Sequence, residues 1–380
     1  MRSFLLGLSI AFSLAFASPS AAAAAQDPLR VLMVVSGEGR DDGKTRPGYE
    51  FDEFAQAWLI FRDNGLAVDI ASPAGGAVVP DRYNPALPFN ERVLADADAI
   101  ARLADTRSTA KLAAGDYAAV FVVGGKGAMF DLPRDAALQA LLADIHERGG
   151  IVSAVCHGPA ALVDVRLSDG RALLAGKAVT GFSNEEETVF GKRWVKEYPF
   201  LLEDALRARG AQFEAAPLMQ PRVVIDGRVM TGQNPYSTPR LAEAVVVALG
   251  RTPVAREPWR DEHSMALVER LLAGEADAAR DALAQDTARY HVELIGMLGY
   301  YQLQAAQDTA RVRAALAIME LAAPHMAEPQ LQLGIAQAHH RLGDTDHARS
   351  ILTRLLEAKP DMAEASQLMA ELDDAGIQTR

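Results

Sequence analysis

Hydrophobic and polar positions follow one pattern from residue 29 to residue 250 and a different pattern after it. In the first stretch, short apolar runs typical of buried strands alternate with longer segments in which apolar positions recur at helical spacing. The predicted strands are Arg30–Ser36, Ala67–Ser72, Ala118–Val123, Ile151–Val155 and Ala178–Thr180. The predicted helices are Asp52–Asn64, Asp135–Arg148, Pro199–Arg209 and Thr238–Leu249. This order predicts an α/β fold: a doubly wound, mostly parallel sheet sandwiched by helices.

The end of this stretch and the segment after it suggest a division into domains. Val223–Met230 predicts a late hairpin around an Asp-Gly turn. Arg251–Trp259 has a composition typical of a linker, and helical spacing with almost no strand signal follows it. We therefore expect an α/β catalytic domain over residues 26–250, a linker over 251–262 and an all-α helical-repeat domain over 263–380.

The C-terminal helices have features of a short helical repeat. Four residues match the turn, small-residue, apolar and terminal-proline positions of a tetratricopeptide-like repeat: Gly343, Ala348, Leu352 and Pro360. The pattern predicts about three helical hairpins, although a generic bundle of α-hairpins would show the same spacing. In either case the segment serves packing or contact with a protein partner. Three histidines fall at a helix–turn–helix connection, where solvated side chains are expected rather than metal ligands: His339, His340 and His347.

The first 25 residues predict a cleaved secretory signal peptide. Arg2 supplies a positive start, Phe4–Ala17 is apolar, and Ser20–Ala25 offers small residues for cleavage. An uncleaved anchor is the alternative, but no basic flank follows the apolar run. No later apolar run has the length of a membrane span, so we expect a periplasmic or secreted protein.

Net charge and cysteine content exclude several classes of partner and of fold stabilisation. The net charge of −12 argues against binding to nucleic acid or to anionic membranes. With one cysteine in an exported chain, the fold does not depend on an intrachain disulfide. The glycine-rich segment Gly124–Met129 lacks the spacing of a phosphate-binding loop, and we expect neither a cofactor nor a metal site.

The single cysteine, Cys156, is the main candidate for chemistry. It falls between the predicted strand Ile151–Val155 and an expected helix start at Pro159–Leu162, an elbow of the kind that holds nucleophiles on a strained turn. We expect the helix macrodipole to favour the thiolate there. His157 is a better proton partner than His146, which lies in a charged helix and is expected to be solvated. The alternative is a small, buried, inert side chain.

Three segments that follow predicted strands or open a helix could complete such a site. Gly124–Met129 has glycines that let backbone amides approach an oxyanion closely. Gly181–Thr188 and Gly48–Phe54 bring carboxylates to the same edge of the sheet. A structural turn is the alternative for the glycines, and acidic residues that only complement helix dipoles are the alternative for the carboxylates.

These segments together resemble the ThiJ/PfpI superfamily, which has the class I glutamine amidotransferase-like, flavodoxin-like fold. The resemblance is greater to the heat-shock branch, known for glutathione-independent glyoxalase and chaperone activity. Five separated motifs occur in order: Gly48–Glu53, Gly124–Pro133, Ala154–Ala160, Thr180–Thr188 and Thr231–Pro235. The resemblance covers residues 30–250 and does not extend to the C-terminal helices.

The resemblance implies a role for each matching residue. Cys156 would be the nucleophile and His157 its general acid and base. Glu187 would orient the histidine, and Glu53 would hydrogen-bond the thiol and assist proton transfer. The backbone N–H groups of Gly125 and His157 would form the oxyanion hole.

Three positions depart from the family pattern. Lys126 stands where the branch commonly has a histidine, Pro47 replaces a common threonine, and Glu50 replaces an aromatic or apolar residue. The extra charges could alter substrate preference.

The resemblance implies cofactor-independent conversion of methylglyoxal or related 2-oxoaldehydes to hydroxy acids, a glyoxalase III (D-lactate dehydratase) activity. A thiol hydrolase, whether a peptidase, an amidase or a protein deglycase, is the alternative enzyme. A periplasmic chaperone or interaction protein that uses the helical repeats, and a redox sensor based on Cys156, are alternatives from other classes. The implied partners are a small dicarbonyl substrate, a protein bound by the C-terminal helices, and a second copy of the chain in a homodimer.

Overall fold

The computed structural model describes residues 29–378, and the predicted signal peptide, residues 1–25, lies outside the described residues. A seven-stranded sheet forms the centre of the α/β part, residues 29–250, and a two-stranded parallel sheet accompanies it. The strands are β1 (Arg30–Val34), β2 (Ala67–Ser72), β3 (Arg107–Ser108), β4 (Ala119–Val122), β5 (Ile151–Val155), β6 (Ala178–Val179), β7 (Gln212–Phe213), β8 (Val223–Asp226) and β9 (Val229–Gly232).

The strand order in the larger sheet is β3-β2-β1-β4-β5-β9-β8. Neighbouring strands are parallel except β8 and β9, which form the antiparallel hairpin predicted around the Asp-Gly turn. The chain crosses over in both directions from β1, which places helices on both faces of the sheet. All residues of β5 are buried, as expected of a strand that is covered on both faces. The predicted α/β fold is confirmed.

The helices of the α/β part pack on this sheet around one hydrophobic core. They are α1 (Phe51–Asp63), α2 (Pro88–Leu94), α3 (Ala97–Ala104), α4 (Ala136–Glu147), α5 (Asn184–Phe190), α6 (Leu202–Ala208) and α7 (Thr238–Ala248). α1 packs against α7, whereas α4 packs against β4 and β5. Trp58, Phe61 and Phe121 are among the largest fully buried side chains.

The segment after β5 differs from the sequence prediction. It forms a 3₁₀ turn, Gly158–Leu162, where an α-helix starting at Pro159 was expected. The turn lies so close to β4 that a Cβ atom at Gly158 would be 2.5 Å from the carbonyl oxygen of Val122. The start of this turn therefore requires a glycine.

The helical segment, residues 260–378, contains only helices and turns in the part that the structure describes. The helices are α8 (Arg260–Leu272), α9 (Ala276–Gln285), α10 (Val292–Ala305), α11 (Thr309–Ala322), α12 (Pro329–Arg341), α13 (Thr345–Ala358) and α14 (Ala363–Gln378). They pack as hairpins, α8 with α9, α10 with α11, and α12 with α13. Ala348 and Leu352 are fully buried, and Gly343 takes a φ of +82° after α12, as the repeat pattern predicts. None of the described helices combines the length and the apolar character that a membrane crossing requires.

The chain between α7 and α8 is held on the α/β part. Arg251 Nη1 donates to the carbonyl oxygen of Asn64 (3.0 Å), and the N–H of Val254 donates to the Asn64 side chain (2.8 Å). α8 begins at Arg260, inside the stretch 251–262 predicted as a linker. The connection is therefore held against the α/β part by hydrogen bonds and is not a flexible linker.

Asp69 on β2 leads to a prediction about stability. Its buried carboxylate accepts hydrogen bonds from Arg107 (2.7 Å), Tyr117 (3.0 Å) and Arg30 (3.1 Å). Burial raises the pKa of Asp69, but the Tyr117 hydroxyl and the arginine charges outweigh it, so the net pKa is lowered. Asp69→Asn is therefore expected to lower the free energy of unfolding at neutral pH by about 2 kcal/mol.

The pH dependence follows from the direction of this shift. A lowered native pKa stabilises the fold above the unfolded pKa of about 4, so the difference between variant and wild type should shrink as the pH falls below that value. Urea unfolding at several pH values measures it. Asp63→Asn, at an exposed carboxylate near Arg92, is the control and should change the free energy by less than about 0.5 kcal/mol. Equal effects of the two substitutions would contradict the prediction.

Candidate active site

Cys156 lies on a strained turn directly after β5. Its φ is +58°, in the left-handed region that non-glycine residues avoid. Its N–H donates to the carbonyl oxygen of Gly232 on β9 (2.9 Å), and its own carbonyl oxygen accepts the N–H of Phe182 (2.8 Å). The structure thus contains the elbow expected from the sequence, with the cysteine at its tip.

His157 connects the thiol to a carboxylate. Its Nδ1 lies 3.3 Å from Sγ of Cys156, and its Nε2 lies 2.8 Å from Oε1 of Glu187. The ring stacks on Phe182 with centroids 4.5 Å apart, which fixes its plane. Because a carboxylate only accepts, Nε2 donates to Glu187, and Nδ1 faces the thiol.

Glu186, next to Glu187, anchors α5 and does not enter the site. It forms a capping box with Ser183 and accepts hydrogen bonds from Asn234 Nδ2 (2.9 Å) and Gln233 Nε2 (3.1 Å). The last of the five sequence motifs supplies both amides. That motif therefore supports the helix that carries Glu187, a function that the sequence pattern did not reveal.

Glu53 on α1 lies on another side of the thiol. Its Oε2 accepts the N–H of Gly124 (2.7 Å), and its carboxyl group hydrogen-bonds Cys156. Burial raises the pKa of Glu53, and the charge of Glu50 raises it further. Burial also raises the pKa of Cys156, with a smaller contribution from the charge of Glu53. Because two negative charges in contact are unfavourable in this buried place, the pair keeps at least one proton at neutral pH.

The expectation that a helix macrodipole favours the thiolate is wrong, because no α-helix begins directly after Cys156. The segment after Cys156 is a 3₁₀ turn of five residues, too short to provide a substantial macrodipole. The cysteine is also 4% exposed, so water does not stabilise a negative charge on sulfur. Burial therefore favours the thiol over the thiolate, and Nδ1 of His157, 3.3 Å from Sγ, is placed to accept its proton.

Gly125 occupies the position predicted for an oxyanion donor. Its φ is +91°, and a Cβ atom there would lie 2.4 Å from the backbone nitrogen of Glu50. Its N–H lies close enough to Cys156 to lower the pKa of the thiol. Glycine thus lets the amide approach the reacting atoms. The structure brings all the predicted site residues together: Cys156, His157, Glu187, Glu53 and Gly125.

Tyr198 is a neighbour of the site to which no sequence motif points. Its ring centroid lies 6.0 Å from that of His157 and 5.5 Å from that of Phe130. Its hydroxyl group is buried and has no hydrogen-bond partner among the described residues. Burial raises the pKa of Tyr198, and Glu187 and Cys156 raise it further. The site therefore contains a protonated hydroxyl with a free donor, which only the folded chain reveals.

Charged residues near the site include two of the departures from the family pattern. Burial raises the pKa of Glu50 to about 8, Asp52 adds to the shift, and Lys126 opposes it. Asp81 accepts the N–H of Gly48 (2.7 Å), and burial raises its pKa. Burial thus favours the protonated form of Glu50, and Lys126 is the cation beside these acids.

The other histidine of the α/β part, His146, lies before β5, at the opposite end of that strand from Cys156. It is half-buried and not solvated as expected, and burial lowers its pKa.

In the described part of the helical segment, His339, Asp344 and His347 are near enough to share a metal ion. Asp344 Oδ2 lies within hydrogen-bond distance of Nδ1 of both histidines (3.2 and 2.8 Å), which accounts for the cluster, and we assign no metal to it.

Gly124 leads to a prediction about packing under the thiol. A Cβ atom at this position would lie 2.7 Å from Cβ of Cys156, from Oε2 of Glu53 and from the carbonyl oxygen of Val155. Gly124→Ala is therefore expected to lower the free energy of unfolding by about 2–3 kcal/mol. Gly115→Ala is the matched control, because nothing lies within 4 Å of its Cβ position. Chemical denaturation measures both, and equal stability of the two variants would refute the packing argument.

Two family models match the chain. The model of the DJ-1/PfpI family matches residues 45–248, more than half of the chain. A tetratricopeptide repeat model matches residues 329–372.

Known proteins are similar to the α/β part over nearly their whole length. The glutathione-independent glyoxalase hsp3101 of Schizosaccharomyces pombe is 32% identical over 235 residues, which cover 57% of this chain and 94% of that protein. The glutathione-independent glyoxalase HSP31 of Saccharomyces cerevisiae is 33% identical over 241 residues, 58% of this chain and 98% of that protein. The crystal structure of glyoxalase III from Candida albicans has a TM-score of 0.52 at 28% identity and covers 58% of this chain and 97% of that chain. The chain therefore belongs to the DJ-1/PfpI family, in the heat-shock branch, and carries a tetratricopeptide-like helical segment after the family domain.

Proposed function

We propose that the protein is a cofactor-independent glyoxalase that converts methylglyoxal, or a related 2-oxoaldehyde, to the corresponding 2-hydroxy acid. The observation that carries the proposal is the buried relay from Glu187 through His157 to the Cys156 thiol, with contacts of 2.8 and 3.3 Å. The names of the two yeast relatives support it. This chemistry needs a thiol, a side chain that moves protons, and a small pocket for the substrate.

Addition of the thiol begins the reaction. His157 Nδ1 removes the proton from Sγ of Cys156 as the sulfur attacks the aldehyde carbon and a C–S bond forms. The aldehyde oxygen becomes an oxyanion, which the N–H groups of Gly125 and His157 stabilise. Glu187 accepts the Nε2–H of His157 and stabilises the imidazolium that results.

Proton transfer between the two carbons follows. The imidazolium of His157 first gives its proton to the oxyanion. A base, either the neutral His157 or the ionised carboxylate of Glu53, then removes the proton from the former aldehyde carbon, and the electron pair forms an enediol. A proton then returns to the neighbouring carbon. The former aldehyde carbon reaches the oxidation level of a thioester while the ketone carbon becomes an alcohol, so no external electron acceptor is consumed.

Hydrolysis completes the reaction. Water attacks the thioester carbon, the C–S bond breaks, and the sulfur of Cys156 regains its proton through His157. The product from methylglyoxal is D-lactate. The balance is one 2-oxoaldehyde and one water consumed for each hydroxy acid formed.

Tyr198 has a place in this scheme. A 2-oxoaldehyde has a second oxygen, on the ketone carbon, which gains negative charge in the enediol step. The buried Tyr198 hydroxyl has a free donor beside His157 and stays protonated, because burial and then the charge of Glu187 raise its pKa. We assign it to the ketone oxygen, where it complements the amides that bind the aldehyde oxygen.

We also infer that the protein acts outside the cytoplasm. The support is the signal-peptide pattern of residues 1–25, with its short apolar run and small residues before the mature chain. The homodimer expected from the family resemblance stays a prediction.

Cys156→Ala should abolish D-lactate formation from methylglyoxal while the protein stays folded, because the thiol forms the covalent intermediate. A D-lactate assay and thermal unfolding of the same sample measure both properties. His146→Asn, at the other end of β5, is the control and should keep full turnover. Lactate formation by a folded Cys156→Ala protein would refute the proposal, and hydrolysis of amides or short peptides in its place would favour a thiol hydrolase.

Tyr198→Phe should lower kcat/KM for methylglyoxal about tenfold, because one hydrogen bond to the developing charge is lost. The rate at which iodoacetamide alkylates Cys156 should not change, since no charge develops on a ketone oxygen in that reaction. Tyr83→Phe is the control: this half-buried tyrosine stacks on Phe51 with centroids 4.1 Å apart. Unchanged kcat/KM in Tyr198→Phe would remove Tyr198 from the mechanism.

A further inference from the structure

The helix that carries Glu187 is short. α5 spans seven residues, Asn184–Phe190, too few for an isolated helix to be stable in water. Its position must therefore come from contacts with the rest of the chain. The relay depends on that position, because a displacement of α5 by an ångström would break the 2.8 Å contact between Glu187 and His157.

Helices α10 and α11 of the helical segment contact α5 at both of its ends. Near the N-terminal end, Arg311 Nη1 of α11 lies 2.7 Å from Oε1 of Glu185. At the C-terminal end, the ring of Tyr301 of α10 meets the ring of Phe190 edge-on, with centroids 5.0 Å apart. An ion pair and an aromatic pair thus restrain the two ends of α5 from outside the α/β part.

A third contact reaches α5 through a loop. Gln302 of α10 donates a hydrogen bond to the carbonyl oxygen of Leu218 (2.9 Å), and both residues are buried. The next residue, Met219, donates its N–H to Oε1 of Glu186 (3.0 Å). Met219 has a φ of +59°, a strained conformation that persists only where neighbours hold it. α10 is therefore connected, through the loop that contains Leu218 and Met219, to Glu186, the buried residue that anchors α5.

We propose that the helical segment is a positioning element for the active site: α10 and α11 fix α5, and thereby the carboxylate of Glu187 that orients His157. Tyr301, Arg311 and Gln302 are positioning residues in this sense, since none of them touches the thiol. The inference rests on the proposed function for the reaction that it serves. It gives the helical segment a role within its own chain, besides any partner that the repeats bind.

Contacts between the two parts that do not involve α5 offer a matched control. Arg240 of α7 forms a two-point ion pair with Glu269 of α8, with distances of 2.6 and 2.7 Å. Neither α7 nor α8 carries a site residue. The arginine side chains of the two pairs are equally exposed, 45% for Arg240 and 46% for Arg311. Loss of either pair should therefore have a similar, small effect on stability.

The test compares four full-length variants, Tyr301→Ala, Tyr301→Phe, Arg311→Ala and Arg240→Ala. The measurements are kcat and KM with methylglyoxal, the pH profile of Cys156 alkylation by iodoacetamide, and thermal unfolding. Tyr301→Ala should lower kcat and the alkylation rate about fivefold with little change in KM, and Arg311→Ala about twofold. Tyr301→Phe keeps the ring contact and, like Arg240→Ala, should behave as the wild type.

The outcomes separate this inference from the proposed function, because alkylation needs only the thiol and its base. If Tyr301→Ala and Arg240→Ala show the same kcat and the same alkylation profile, the positioning role is overturned. If the wild type forms no lactate but Tyr301→Ala still slows alkylation, the positioning role stands and the proposed function fails.

Discussion

The left-handed backbone of Cys156 is the constraint on which the rest of the site depends. A non-glycine residue keeps a φ of +58°, at a cost of about 1–3 kcal/mol, only where its surroundings over-determine it. Here the carbonyl oxygen of Gly232 binds its N–H, and the N–H of Phe182 binds its carbonyl oxygen. Gly124 approaches so closely that it has no room for a side chain. The backbone around Cys156 thus holds its sulfur atom in place.

Burial then determines how that sulfur can react. A resting thiolate would lie in a buried place next to the carboxyl group of Glu53, and burial raises the pKa of both groups. The sulfur of Cys156 becomes nucleophilic only when His157 takes its proton, so deprotonation is coupled to attack on the substrate. The same coupling protects a lone cysteine, because oxidants react with the thiolate and not with the thiol.

Features that depend on local sequence could be predicted, and features that depend on packing could not. The limits of β2 and β5 agree with the apolar runs that predicted them, and Cys156 and Glu187, to which the motifs point, lie on either side of His157. The 3₁₀ turn after β5 and the free hydroxyl of Tyr198 arise where segments distant in sequence meet. Glu185, Glu186 and Glu187 are alike in sequence, and only tertiary contacts divide them into a surface ion pair, a buried anchor and a member of the relay.

The charges around the site affect the release of the product in the proposed reaction. A 2-oxoaldehyde is neutral, so it enters a site that contains Glu187 and Glu53 without charge repulsion. The hydroxy acid forms as an anion at Cys156, separated from the Glu187 carboxylate by the His157 ring, and like charges repel more strongly in a buried site than in water. Lys126 is the nearby cation, but its charge already acts on Glu50 and Asp81. Once His157 has returned its proton to the sulfur, no positive charge remains on the relay to hold the product, so the Glu187 carboxylate that orients the base also promotes release of the acid.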